Sequence, residues 1–229
     1  MKKMLQSLGQ LVYPNMCVCC DSYLSHQEGK VCDLCHYTLP KFEAYQQKDN
    51  TLAKRFWGRV KLENATGYLR HQKSTEVTKI LHDFKYRGNS ALAIEMGEAL
   101  GRSLSKTQFI GSVDCVIPVP LHPKRERIRG YNQSDLLVEG ICNQAPCKGI
   151  YDALVRQKHN STQTKKKRYE RFINAKEIFR VAKPEKLQNS HVLLIDDVIT
   201  TGATIEACAE ALLDVKGVQV SVACLAVAS

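Results

Sequence analysis

The chain has 229 residues, 44% hydrophobic and 24% charged, with 33 Lys+Arg against 23 Asp+Glu and a formal net charge of +10. These fractions are those of a globular protein of one large domain, or of a medium domain plus a small one, and they exclude whole-chain disorder, collagen and coiled coil. No stretch approaches the roughly 18 apolar residues of a membrane helix, and Gln6, Ser7, Gly9 and Gln10 are too polar for a signal-peptide core, so we expect a cytoplasmic protein without a membrane span.

In chain order, Tyr13-Pro14-Asn15 ends any helix over residues 3–11. Five of the ten cysteines follow within the first 35 residues: Cys17, Cys19, Cys20, Cys32 and Cys35. Cys17-x2-Cys20 and Cys32-x2-Cys35 are two CxxC turns eleven residues apart. Each turn aims two thiolates at one point, and together they make a tetrahedral four-sulfur site suited to structural zinc, with no open position for catalysis. The alternatives are a chance cluster of free thiols or a redox CxxC, which expects a single pair beside a βαβ pattern. Cys19 and His36 are possible further ligands. The segment reads as too short and polar to fold without its metal. Residues 43–54 read as a polar connector, and Trp57 is placed to pack the ribbon against the next domain.

From Ala65 onward, strand and helix patterns alternate. Ala65–Arg70 reads as a strand. Val77, Ile80, Leu81 and Phe84, then Leu92, Met96, Leu100 and Leu104, carry helical spacing. Cys115–Pro120 is a buried strand running into a proline-stopped loop, and Gln133–Cys142 a helix. His191–Ile195 is a second buried strand. Thr204–Lys216 is a helix with Ile205, Cys208, Leu212 and Val215 inward and Gly217 as its C-terminal cap, and Val218–Val227 is the last strand. Alternating βα units imply a parallel sheet with helices on its faces.

The stretch Val192–Thr204, VLLIDDVITTGAT, carries the most chemistry. A buried strand brings Asp196 and Asp197 to its C-terminal end, where open α/β sheets bind ligands. The backbone N–H groups and hydroxyls of Thr200, Thr201, Gly202, Ala203 and Thr204 can cradle a phosphate at a helix N-terminus, and Gly202 permits close approach. The carboxylates would repel that phosphate and are better placed to accept hydrogen bonds from sugar hydroxyls. The alternative, an Asp-rich turn with a capping Thr, needs far fewer such residues. Much of the basic excess lies elsewhere. From Val116 to Arg180 there are 14 Lys+Arg against 6 Asp+Glu, a difference of +8, which suits a polyanionic partner.

VLLIDDVITTGAT resembles the phosphoribosyl pyrophosphate (PRPP) motif of type I phosphoribosyltransferases. With the cysteine ribbon in front, the chain resembles the ComF family, which is linked to DNA uptake in natural transformation. The resemblance implies a type I phosphoribosyltransferase-like α/β domain over residues 64–229, behind a four-cysteine zinc-ribbon domain over residues 1–63. It implies Mg²⁺ bound with PRPP, and Asp196 and Asp197 as catalytic groups orienting the ribose. It also implies a pyrophosphate loop at Val119, Pro120 and Leu121, with Arg125 and Arg129 after it. The run from Arg156 to Asn174, with Lys165, Lys166, Lys167, Arg168 and Arg171, resembles the loop that closes over PRPP, against a merely solvated basic surface. Lys85-Tyr86-Arg87-Gly88 resembles the segment before the core strands.

The implied partners are PRPP, single-stranded DNA and the DNA-uptake machinery at the inner membrane face. The Lys165–Arg171 run is the first candidate for the strand, and Lys30, Lys41, Lys54 and Arg55 are the next. Two other functions stay open: a nucleic-acid-binding adaptor with a vestigial PRPP site, and base salvage, which a missing base-reading hood weakens. Glutamine-dependent amidotransfer is not expected, because that superfamily uses an N-terminal Cys and this chain opens Met1-Lys2.

Overall fold

The computed structural model describes residues 15–42, 49–72, 75–157 and 178–228. A five-stranded, wholly parallel sheet forms from β1 (Ala65–His71), β2 (Cys115–Pro118), β3 (Lys148–Gly149), β6 (His191–Ile199) and β7 (Gln219–Ala228), in the order β1-β7-β6-β2-β3. A separate antiparallel pair, β4 (Leu154–Arg156) with β5 (Phe179–Val181), flanks residues 158–177. The helices are α1 (Asp33–Thr38), α2 (Thr75–Tyr86), α3 (Ser90–Leu104), α4 (Pro123–Arg129), α5 (Gln133–Gln144) and α6 (Ala203–Leu213). Among the described residues no helix is long and apolar enough to cross a membrane.

The sheet separates two apolar clusters. On one side Leu193, Ile195, Ala223 and Leu225 pack against α2, α3 and α5. On the other, Leu194, Val222 and Cys224 pack against Ile205, Cys208 and Leu212 of α6. The runs of Val, Ile and Leu in β6 and β7 are those of strands covered on both faces. The stripe Leu92, Met96, Leu100 and Leu104 is fully inward on α3. The tightest helix contact is α3 against α5. A side chain added at Gly140 would run into the Ile94 carbonyl oxygen and meet the Glu98 nitrogen at 2.7 Å. Backbone cannot swing aside as a side chain does, so Gly140→Ala should cost about 1–3 kcal/mol of overpacking; an unchanged denaturant midpoint would count against this crossing.

Four expectations are corrected. Trp57 does not pack the cysteine segment onto the sheet and is 59% exposed. A 3-10 turn over Ala53–Phe56 stacks residues three apart, so Phe56 goes inward beside Ile199 and Ile205. The stretch before it is not a solvated connector throughout, since Asn50 and Leu52 are buried; its residues 43–48 lie outside the described residues. The strand expected to end at Ile195 continues to Ile199, because β7 keeps pairing through Asp196↔Cys224 and Ile199↔Val227. Finally, α6 stops at Leu213 with Asp214 as its cap, and Gly217, at φ 76°, serves the turn into β7 instead.

The cysteine segment is less polar in its packing than in its composition. Cys17, Cys19, Val31, Cys32, Cys35 and Leu39 belong to the same apolar cluster as Ile80, Phe84 and Met96. Glu95 of α3 secures it: its carboxylate accepts from the N–H groups of Lys30 (2.5 Å) and Val31 (3.2 Å) and pairs with His36 Nε2 at 2.8 Å.

Candidate functional site

The sulfur atoms of Cys17, Cys20, Cys32 and Cys35 all lie within 4.8 Å of one another, and no other such group of His, Cys, Asp or Glu is found among the described residues. Cys20 Sγ and Cys32 Sγ are 3.8 Å apart, close to the edge of a tetrahedron with metal–sulfur bonds of about 2.3 Å. Cys20 is the exposed member. The Ser22 hydroxyl and N–H, 3.0 Å away for the hydroxyl, stabilise its thiolate and lower its pKa to about 6. Cys19 and His36 stand outside the set. The Cys19 thiol is pushed up to about 12, by burial first and by the neighbouring Cys17 next, and His36 is committed to Glu95. The four thiols fit a soft, tetrahedral divalent ion such as zinc.

The second site lies at the C-terminal end of β6. Ile195 pairs with Pro118, and the Val119 N–H donates to Ile195 O at 2.8 Å, so the loop Val119-Pro120-Leu121 starts beside Asp196. Asn132 holds that loop: its Nδ2 donates to Val119 O (3.1 Å) and to Asp135 Oδ1 (2.7 Å). The acidic pair is asymmetric. Asp197 Oδ2 is 2.8 Å from Lys85 Nζ. Asp196 accepts the Asp197 N–H at 2.8 Å, and burial, aided by the charge of Asp197, raises its pKa to about 7, with Lys85 and the Ser134 hydroxyl pulling the other way.

Thr200 and Thr201 are exposed and turn into α6, whose N-cap, Gly202, sits at φ 82° and supplies no side-chain cap. Of the first-turn N–H groups of α6, that of Ala203 makes a long contact of 3.5 Å to the Thr201 hydroxyl, and the turn offers its N–H groups to an anion. Behind the turn, Arg55 donates to Thr200 O (2.6 Å) and Ala228 O (2.5 Å), and Arg59 donates to Thr201 O (3.0 Å) and pairs with Glu206. Phe56 lies under Gly202, where a Cβ would come within 2.7 Å of its ring.

Of the expected pyrophosphate cations, Arg125 is exposed. Arg129 donates to Gln133 Oε1 at 2.6 Å and lies 5.4 Å from the Tyr86 ring centre. Arg156 is held below its ordinary pKa by burial, with the Arg125 charge adding a smaller push. Lys165, Lys166, Lys167, Arg168 and Arg171 lie outside the described residues. Lys85, Arg55, Arg59, Asn132 and Ser134 had no assigned place at the acidic pair from sequence. Lys85 carried a signal through the quoted Lys85–Gly88 stretch, and Asn132 through Arg127–Gln133, which resembles the family's basic signature after the pyrophosphate loop. The others are long-range partners that no local spacing reveals. Chemically, the site offers anion-binding amides beside two carboxylates that can accept from hydroxyls, with a lysine balancing one of them.

Residues 137–228 match the phosphoribosyl transferase domain. The chain is 31% identical over 152 residues to the DNA utilization protein YhgH of Escherichia coli O6:H1, covering 65% of this chain and 66% of that one, just under two thirds of its length. It is 29% identical over 215 residues to the competence protein ComFC of Bacillus subtilis, covering 90% of this chain and 81% of that one. Among solved structures, the glutamine PRPP amidotransferase from B. subtilis matches with 14% identity and a TM-score of 0.43, over 62% of this chain and 30% of that one.

Proposed function

That the chain belongs to the ComF family, with a phosphoribosyl transferase domain behind a four-cysteine segment, is the premise from which we propose that it binds PRPP with Mg²⁺ and single-stranded DNA in the handling of incoming DNA. One observation carries the PRPP reading: the Asp196–Asp197 pair, at the C-terminal end of β6, is joined to the N-terminus of α6 by one short turn over residues 200–202. The 5-phosphate would sit on the N–H groups of residues 200–204, and the two carboxylates would accept from the ribose hydroxyls. Val119, Pro120 and Leu121 would face the pyrophosphate, with Arg125 and Arg129 beyond them.

Asp197 is already balanced by Lys85, and no cage of carboxylates forms among the described residues. The residues therefore suit an Mg²⁺ ion that arrives on the substrate, keeps its waters and neutralises pyrophosphate. Arg55, Arg59 and Phe56 fix the turn from behind, so the phosphate cradle is set before ligand binds. The cysteine set would hold one structural zinc, with the division into two domains near residue 63. The intact acid pair favours a working pocket over a vestigial one.

Calorimetric titration with PRPP and Mg²⁺, with and without a single-stranded oligonucleotide, tests this reading. One PRPP site per chain is expected, and no heat of binding at millimolar PRPP would refute it. For DNA, the logarithm of affinity should fall with the logarithm of salt at about −0.7 per phosphate neutralised. Replacing Lys165, Lys166 and Lys167 together by Ala should flatten that slope. A salt-independent binding curve would rule out the electrostatic model.

A further inference from the structure

The segment Pro40-Lys41-Phe42 runs along the edge strand β1. Lys41 bridges to Leu69 in antiparallel fashion, the Phe42 N–H donates to Tyr68 O at 2.9 Å, and the Arg70 N–H donates to Pro40 O at 2.7 Å. This fixed backbone lays the Lys41 side chain across Tyr68, with Nζ 4.5 Å from the ring centre. The ammonium donates to Tyr68 Oη at 3.0 Å and to His36 O at 2.7 Å. Both acceptors are neutral, an ammonium has three donors, and no carboxylate pairs with Lys41 among the described residues. Burial pulls its pKa down to about 8, and no acid opposes the shift. A half-buried cation without a counter-ion is costly to keep.

A second cation converges on the same place. The Arg102 charge acts on the Tyr68 phenol, against the larger upward push of burial. The carboxylate partner of Arg102, the half-buried Glu98, is 3.9 Å away, a long ion pair. Lys41, Tyr68, Arg102 and Lys106 line one cavity of about 710 Å³ between the cysteine segment and α3, with Asp33 its one carboxylate. His36, on the same wall, is already paired with Glu95.

We infer that this seam is a second anion site, in which Lys41, Arg102 and the Tyr68 hydroxyl bind a phosphate group, and that its occupant is the backbone of a single-stranded nucleic acid. The strand, rather than a free phosphate, follows from Tyr37. It is 86% exposed and lies one helical turn beyond Asp33, a lining residue, on the same face of α1, a flat ring that a base beside the bound phosphate could stack on. The anion site stands without the PRPP reading and shares no residue with it. Its occupant rests on the single-strand reading.

The test uses the full-length, zinc-loaded protein with Lys41→Gln and Arg102→Gln combined. Binding of a 20-mer oligothymidylate is read by fluorescence anisotropy across a salt series, and inorganic phosphate is read by its effect on the thermal midpoint. The variant should bind the oligonucleotide about 10-fold more weakly at low salt, with a slope flatter by about 0.7, and should lose the stabilisation by phosphate. Its PRPP titration should match the wild type, which separates failure at the seam from failure at the acidic loop. Should the double variant fold poorly, the exposed Lys106→Gln must show a smaller loss in the same direction. Wild-type binding of both probes by a folded double variant overturns the site, even if the Lys165–Lys167 variant loses DNA. Loss of the phosphate response alone keeps the anion site and overturns the strand as its occupant.

Discussion

Substituting Asn for both Asp196 and Asp197 should reduce PRPP affinity by about 100-fold or more in the Mg²⁺ titration. A hydroxyl donating to a charged acceptor contributes about 1.5–3 kcal/mol, and each carboxylate is placed to take such a bond. The loss should not be a folding defect, and the single Asp196→Asn variant shows why. The folded-state pKa of Asp196 is about 7, above its ordinary 3.8, because burial and then the Asp197 charge disfavour the carboxylate. Between about pH 4 and 7 the folded protein therefore holds a proton that the unfolded chain has released. Stability is fully present at the acid end of that window and falls as pH rises through it. Asp196→Asn removes this fall, so its thermal midpoint should exceed that of the wild type above pH 7 while PRPP binding weakens. A midpoint lowered at pH 8, or PRPP bound as tightly as by the wild type, would contradict the assignment of this acid to ligand binding.

The second large effect concerns the cysteines. Elemental analysis should find about one zinc per chain in the wild type and none in Cys20→Ser/Cys35→Ser. Zinc-finger peptides draw about 10–16 kcal/mol of apparent folding energy from such a metal. Here Val31, Leu39 and four of the segment's cysteines also sit in the apolar cluster against α2 and α3. Metal loss should thus release residues 15–39 to hydrogen exchange while amides of β6 and β7 keep their protection. Full zinc retention in the double variant would dismiss the four-thiol site.

The parts of this fold legible in the sequence are those set by local pattern. The apolar runs of β2, β6 and β7, the stripe of α3, the paired CxxC turns and the acid–threonine turn are all confined to short windows. Arrangements that depend on distant residues were not legible. Phe56 rather than Trp57 turns inward because a 3-10 turn sets the facing, and its hydrophobicity alone does not distinguish the two. α4 has no apolar stripe, and the resemblance picked out only Arg125, Arg127 and Arg129 along it. Lys85 reaches Asp197 because the chain around Tyr131, whose hydroxyl bonds to Phe84 O, pins the end of α2 beside the sheet. The Arg55 and Arg59 support for the phosphate turn joins residues that composition would assign to different regions.

The place of β7 has a consequence for synthesis. This strand leaves the ribosome after the other four of its sheet, yet it is not at an edge; it is inserted between β1 and β6, so that Ala65 and Leu194 both find their partner in Val222. Until it emerges, β1 has no neighbour in the sheet. At about 5–20 residues per second, the wait from β1 to β7 is on the order of ten seconds. Throughout it β1 stays unjoined, and once β6 is made its edge, rich in Val, Leu and Ile, stays open too, an exposed-edge hazard in the crowded cell. A stall or frameshift just ahead of the β7 codons would therefore leave a chain with an interior strand missing, a substrate for holding chaperones and proteases rather than a shortened working protein.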